Sequence, residues 1–351
     1  MQRNHIIILR VLAVIVVITS IVIFAPVRAL YVYLSPLSND VQTEVDRAVD
    51  AGLVGISVYI DQPEPRSDFA YAAGWHNKQA SLSAHTTPLF KIGSVSKLYL
   101  AAAATRLVVT DRLQLDTTLQ AYLPELADKI ENADTITLRM LIQHRSGIPN
   151  FTDVDTFPWL APFDENEDTE RSLALIYNKP VIFTPDERYE YSNTNYLLLA
   201  SIIDKVLGYS HQRYIRAEFL TPLGLNRTFA TVKHAPQDAL MSGYIEGQDD
   251  DLKHLAFMNP AGAMVASPQD VAHFLRALNN GTLLNAEEQQ LYSTLYFTSH
   301  DGWLPGYLSF ARYFEDTDTV IILFANTSGD EPWMIADFTL SRIHEIIRDQ
   351  Q

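Results

Sequence analysis

Hydrophobic and polar positions change period along this chain in an order that predicts strands near both ends and helices between them. A largely apolar run from Val11 to Ala25 follows Arg3 and Arg10 and stops at Pro26. The spacing in VQTEVDRAVDAG (41–52) predicts a helix leading into GISVYID, which alternates as a strand does. A second strand, DFAYAAGW, follows the turn-rich QPEPRS, so the two read as a hairpin. From Ser94 the segment SVSKLYLAAAATRLVV is helix-forming through its alanine run, with a serine where a cap belongs. The stretch from about 112 to 285 is mostly helical spacing and loops, including NYLLLASIIDKVLG closed by Gly208. Strand character returns in YLSFARYF and TVIILFAN, and EPWMIADFTLSRIHEIIRD reads as an amphipathic helix.

Strands from both ends must share a sheet if neither pair is to stand alone. The pattern therefore predicts an α/β fold: an antiparallel sheet built from both chain ends, flanked by helices and carrying an inserted all-helical lobe. The α/β lobe takes about 31–111 and 286–351, and the helical lobe about 112–285. Residues 1–30 read as a membrane anchor, because His5 to Ala25, with Arg10 snorkelling toward the headgroups, can span a hydrocarbon core of ~30 Å. A cleaved signal peptide is the alternative, since Val27-Arg28-Ala29 offers short residues to a peptidase. Either way the domain 31–351 is exported, anchored with an extracytoplasmic domain or, after cleavage, secreted or periplasmic.

Composition narrows the chemistry. With 351 residues, 47% hydrophobic and 19% charged, the chain can bury a sizeable core. A net charge of −16 repels phosphates and argues against a nucleic-acid partner. The absence of cysteine removes disulfides, thiolate metal sites and cysteine nucleophiles, so a nucleophile must be an oxygen or an amine. No metal or cofactor is expected: His344-Glu345 lacks the second histidine of a zinc helix, and Asp249-Asp250-Asp251 lacks the alternating ligands and glycine of a calcium loop. The sequons at Asn150, Asn226, Asn280 and Asn326 matter only in a host that glycosylates.

Ser94-Val95-Ser96-Lys97 places a hydroxyl and an amine at i and i+3, on one face of a helix. A lysine can deprotonate a serine only if its own pKa is lowered, and the positive helix end and burial in a cleft both act in that direction. The same helix end points unpaired N–H groups at the reaction centre, one of them suited to an oxyanion hole. Alone, the pattern is close to a chance pairing of a cap serine and a solvated lysine. Tyr191-Ser192-Asn193 adds a phenol able to relay a proton and an amide able to bind a substrate carbonyl or the lysine. In Ser299-His300-Asp301-Gly302-Trp303 the glycine lets a substrate backbone approach, the next N–H can complete an oxyanion hole, and His300 can bind or protonate substrate.

These elements, in this order, resemble the serine β-lactamase-related family of class C β-lactamases, serine D-alanyl-D-alanine carboxypeptidases and esterase-like penicillin-binding proteins. FKIGSVSK, ITLRMLIQHRSGIP, FTPDERYEYSNTNYLLLASIIDKVLG, PLGLNRT and NPAGAMVASPQDVAHFLRAL extend the resemblance over nearly the whole exported chain. It implies an acyl-enzyme on Ser94, Lys97 as base, Tyr191 in proton transfer, Asn193 on the substrate's amide side, and the N–H groups of Ser94 and Trp303 as the oxyanion hole, with His300 and Gly302 beside the substrate. His144 looks like a structural landmark of the family. Where class C β-lactamases carry Lys-Thr-Gly, this chain has His300-Asp301-Gly302, which replaces a fixed cation by a group mostly neutral at pH 7. The expected substrate is therefore a small molecule or peptide with an amide or ester, such as a peptidoglycan stem peptide, ahead of a β-lactam. The stretch from Gly281 to His300 is shorter than the family's, which usually supplies a further strand there. The alternative function is an impaired, membrane-tethered binding or regulatory protein.

Overall fold

The computed structural model describes residues 25–63, 65, 67–160 and 168–350, with His5, Arg10 and Leu12 besides. The expected anchor therefore lies largely outside the described residues. Among the described residues no helix is long and apolar enough to cross a membrane.

Six strands, β1 (Gly55–Asp61), β2 (Phe69–Asn77), β3 (Leu82–Ser83), β4 (His300–Leu304), β5 (Tyr307–Phe314) and β6 (Thr319–Ala325), form one antiparallel sheet in the order β3-β2-β1-β6-β5-β4. The two ends of the chain meet at its centre, where Ile56 pairs with Ala325 and Asp61 with Val320. Both central strands are buried along their whole length. Their period of two divides them between two cores. Ile56, Val58, Ile60, Ile321 and Leu323 enter one, and Tyr59, Val320, Ile322 and Phe324 enter the other.

The first core is closed by α1 (Val27–Leu34), α2 (Val41–Asp50) and a long C-terminal helix, Asp330–Asp349. Residues 27–30, assigned from sequence to the leader, thus belong to the folded domain. Glu44 and Arg342, both buried, join the two longer helices through bonds of 2.7 and 3.1 Å, and Arg342 also donates to the carbonyls of Ser35 and Pro36.

The second core contains α3 (Ser96–Val109). With Ala101 to Ala104 at 0% exposure, this helix runs through the interior. It is packed by α4 (Asn193–Leu207), by α6 (Ala286–Leu295) and, through the stack of Tyr99 on Phe274, by α5 (Pro268–Asn279); the C-terminal helix is α7. Helix α5 lies on β1, β5 and β6, so it packs with the sheet although its sequence position falls within the span expected of the helical lobe. The segment before His300 holds α6, capped by Asn285 and Glu288, and the edge strand is supplied by the His300-Asp301-Gly302 stretch itself.

Candidate active site

Ser94 sits in a 3-10 turn, Gly93–Val95, and the α-helix begins only at Ser96 with no side-chain cap. The turn is wedged between two backbones. Gly93 has φ of +52°, and a Cβ there would lie 3.2 Å from the nitrogen of Trp303. A Cβ on Gly302 would collide with the carbonyl oxygen of Ile92 and with Ser309 Oγ, and would come within 3.0 Å of Ser94 N. Two glycines therefore let the edge strand press against the nucleophile turn, and Ser309 Oγ donates to Ile92 O at 2.7 Å to hold it there.

This contact aims two amides at one place. The first bond of the turn runs from Val95 N to Ile92 O, so the N–H of Ser94 precedes the ladder. The two-residue turn Pro305-Gly306 closes on the pair Leu304 and Tyr307. The alternation of an antiparallel ladder then directs the N–H of Trp303 away from β5, toward Ser94.

Lys97, one turn beyond the serine, is wholly buried, and its Nζ lies 3.0 Å from Ser94 Oγ, 2.8 Å from Asn193 Oδ1 and 2.7 Å from Ala261 O. No carboxylate faces it in this set. Burial holds its pKa well below the ordinary lysine value. A neutral amine fits these contacts: two N–H bonds go to Asn193 and Ala261, and the lone pair faces the serine hydroxyl. On the other side Tyr191 O–H donates to Ser94 Oγ at 2.8 Å. Burial raises the pKa of this phenol, so it keeps its proton to donate.

Asn193 has both ends of its amide engaged within the protein, Oδ1 by Lys97 and Nδ2 by Thr152 Oγ1 at 3.1 Å, and its N–H donates to Asn150 Oδ1. In this structure it faces the lysine. His144 lies under the site, with its ring 4.5 Å from that of Tyr191 and Nδ1 accepting from Ser192 N at 3.2 Å. Half-buried His300 flanks Tyr191 at 6.2 Å and donates from Nδ1 to Asp301 O. Desolvation of the ring lowers its pKa to about 3, so it is neutral. Asp301 turns away to Arg312 at 2.6 Å. The Trp303 side chain is partly exposed and meets Trp159 edge-on at 5.0 Å, with Phe257 stacked on Trp159 beyond it.

Ser94, Lys97, Tyr191, Asn193, His300, Gly302 and Trp303 thus converge. Sequence reasoning missed Ala261, whose carbonyl completes the lysine's partners, and Asn150 and Thr152, which pin Asn193. Ala261 lies within NPAGAM, a segment the resemblance marked without assigning it a task.

A serine hydroxyl is thus held between a buried amine and a phenol, beneath two converging amides, the arrangement of an activated nucleophile. The family described as Beta-lactamase matches residues 65–299, and the chain belongs to it. Protein flp of Staphylococcus aureus (strain N315) is 24% identical over 330 residues, which take in 84% of this chain and 65% of that protein. This chain thus spans a little under two thirds of that relative's length. The crystal structure of D-amino acid amidase from Ochrobactrum anthropi SV3 complexed with L-phenylalanine amide superposes with a TM-score of 0.77 at 24% identity, over 88% of this chain and 98% of that one. A penicillin binding protein from Bacillus halodurans superposes at 0.75 with 20% identity, over 88% and 100%. At such identities these likenesses establish the fold.

Proposed function

We propose that this protein is an exported, membrane-anchored hydrolase that opens amides or esters through an acyl-enzyme on Ser94. The observation that carries the reading is the double contact on one oxygen: Ser94 Oγ meets Lys97 Nζ at 3.0 Å and Tyr191 Oη at 2.8 Å. Lys97 takes the hydroxyl proton as Oγ bonds to the substrate carbonyl carbon, and the oxyanion is held by the N–H groups of Ser94 and Trp303. Tyr191 passes a proton to the departing nitrogen or oxygen as its bond to carbon breaks, and regains one through the Ser94 network. Water then cleaves the acyl ester by the same route and restores Ser94.

A neutral His300 supports small esters and uncharged amides ahead of carboxylate-bearing β-lactams, and sets no preference between those and D-Ala-D-Ala peptides, which end in a carboxylate as well. That a structural neighbour from Ochrobactrum anthropi is a D-amino acid amidase is in keeping with an amide substrate. The aromatic wall of Trp159, Phe257 and Trp303 beside the oxyanion amide supports an apolar substituent on the substrate. Export and anchoring are supported by the apolar run Val11–Ala25 behind Arg3 and Arg10.

A fluorophosphonate probe tests the acylation. Modification of the peptide containing Ser94 is expected, with loss of the adduct in Ser94→Ala; absence of an adduct from the wild-type protein would refute the reading. A panel of esters, D-Ala-D-Ala peptides and a chromogenic cephalosporin then assigns the substrate branch.

A further inference from the structure

Helix α1 is apolar on two sides. Ala29 and Val32, at 0% exposure, face the domain, whereas Val27, Leu30, Tyr31 and Leu34 are 57, 40, 52 and 72% exposed. The exposed four follow i, i+3, i+4 and i+7, the spacing of a single stripe. The helix is firmly held. Glu331 on α7 accepts the N–H of Arg28 at 2.7 Å and its Nε at 2.8 Å, and Arg28 also pairs with Glu246. An exposed apolar stripe on a helix held this firmly marks a contact surface.

The sequence indicates what covers this one. The stripe starts two positions after Ala25, where the apolar run Val11–Ala25 ends, so a chain anchored by that run brings α1 to the bilayer surface. Tyr31 is in the stripe, and Tyr33 beside it packs on Phe338 at 5.0 Å; tyrosines concentrate at headgroup depth, where an apolar ring and a polar hydroxyl are both satisfied. We infer that Val27, Leu30, Tyr31 and Leu34 form a bilayer-contact platform that seats the hydrolase domain rigidly against the lipid headgroups. This rests on the anchoring read above and adds a fixed orientation to it. A net charge of −16 makes zwitterionic lipid the favoured surface. Because α1 belongs to the core on one face of the sheet, while α3 with Lys97 runs through the other, seating α1 leaves the cleft at Ser94 free.

The absence of cysteine makes the test direct. Leu34→Cys, and as a control Asp134→Cys on the exposed helical lobe, are made in the full chain, labelled with an environment-sensitive fluorophore, and reconstituted into phosphatidylcholine vesicles with lipids carrying a shallow nitroxide quencher. Labelling of Ser94 by the fluorophosphonate verifies folding of both variants. Loss of fluorescence at position 34 and none at 134 is the expected result. Equal, weak quenching at the two positions in protein that floats with the vesicles overturns the platform while leaving the anchor intact. Protein that stays in the aqueous fraction refutes the anchor, and the platform with it.

Discussion

Lys97 holds its amine 2.7 Å from the carbonyl oxygen of Ala261, a residue 164 positions away. With Asn193 Oδ1 on a second side, this contact leaves the third direction of Nζ to Ser94. Burial without a carboxylate keeps the amine neutral, and the two acceptors orient it, so basicity and aim have separate origins.

Lys97→Arg places a fixed positive charge where the amine is neutral and cannot serve as a base near neutral pH. Acylation of Ser94 is expected to fall by about 10²–10⁴-fold, the usual contribution of a general base, as measured by the rate of fluorophosphonate labelling. In the wild type the acid limb of that rate should lie well below the ordinary lysine value of 10.5, because the active form is the neutral amine.

Asn193→Asp puts a carboxylate where an amide oxygen accepts from Lys97. A neighbouring negative charge favours the ammonium, so the lysine's pKa rises and the acid limb moves to higher pH. At high pH the rate should largely recover. A uniform loss at every pH would instead mean that Asn193 serves only to hold the fold.

Gly302→Ala drives a methyl into Ile92 O and Ser309 Oγ, and the edge strand must withdraw from the serine turn. Loss of one oxyanion donor typically costs about 10²–10³-fold in rate. The variant should keep its thermal transition while the acylation rate falls.

His300, with its pKa lowered to about 3, contributes no ionisation between pH 5 and 8, so its titration should be missing from the rate profile there. His300→Lys restores a cation beside the site. Relative to a neutral ester, acylation by a carboxylate-bearing cephalosporin should rise about tenfold, the scale of one charge-assisted hydrogen bond of ~1.5 kcal/mol.

Glu44 is buried, which by itself raises its pKa, but Arg342 and the N–H of Ser38 overcome this and hold it below the usual 4.5. The stability from this pair is present above the unfolded glutamate's pKa and is lost as pH falls through the lowered folded value. Arg342→Ala removes two charge-assisted bonds from the buried carboxylate and leaves it Arg47 and the N–H of Ser38, so it should cost about 1.5–3 kcal/mol in urea unfolding at pH 7.

What the sequence determined by itself is what depends on short separations. Three residues of helical spacing bring Lys97 to Ser94, and a period of two sends Ile56 and Tyr59 into opposite cores. These follow from backbone geometry and hold wherever the segments are placed. The carbonyl of Ala261 and the pinning of Asn193 by Asn150 and Thr152 were decided only by tertiary structure. Every residue carries a carbonyl and nearly every one an N–H, so composition cannot mark which backbone atom will reach the site. That choice is made where the 259–264 loop, the edge strand and the start of α4 pack around one buried amine.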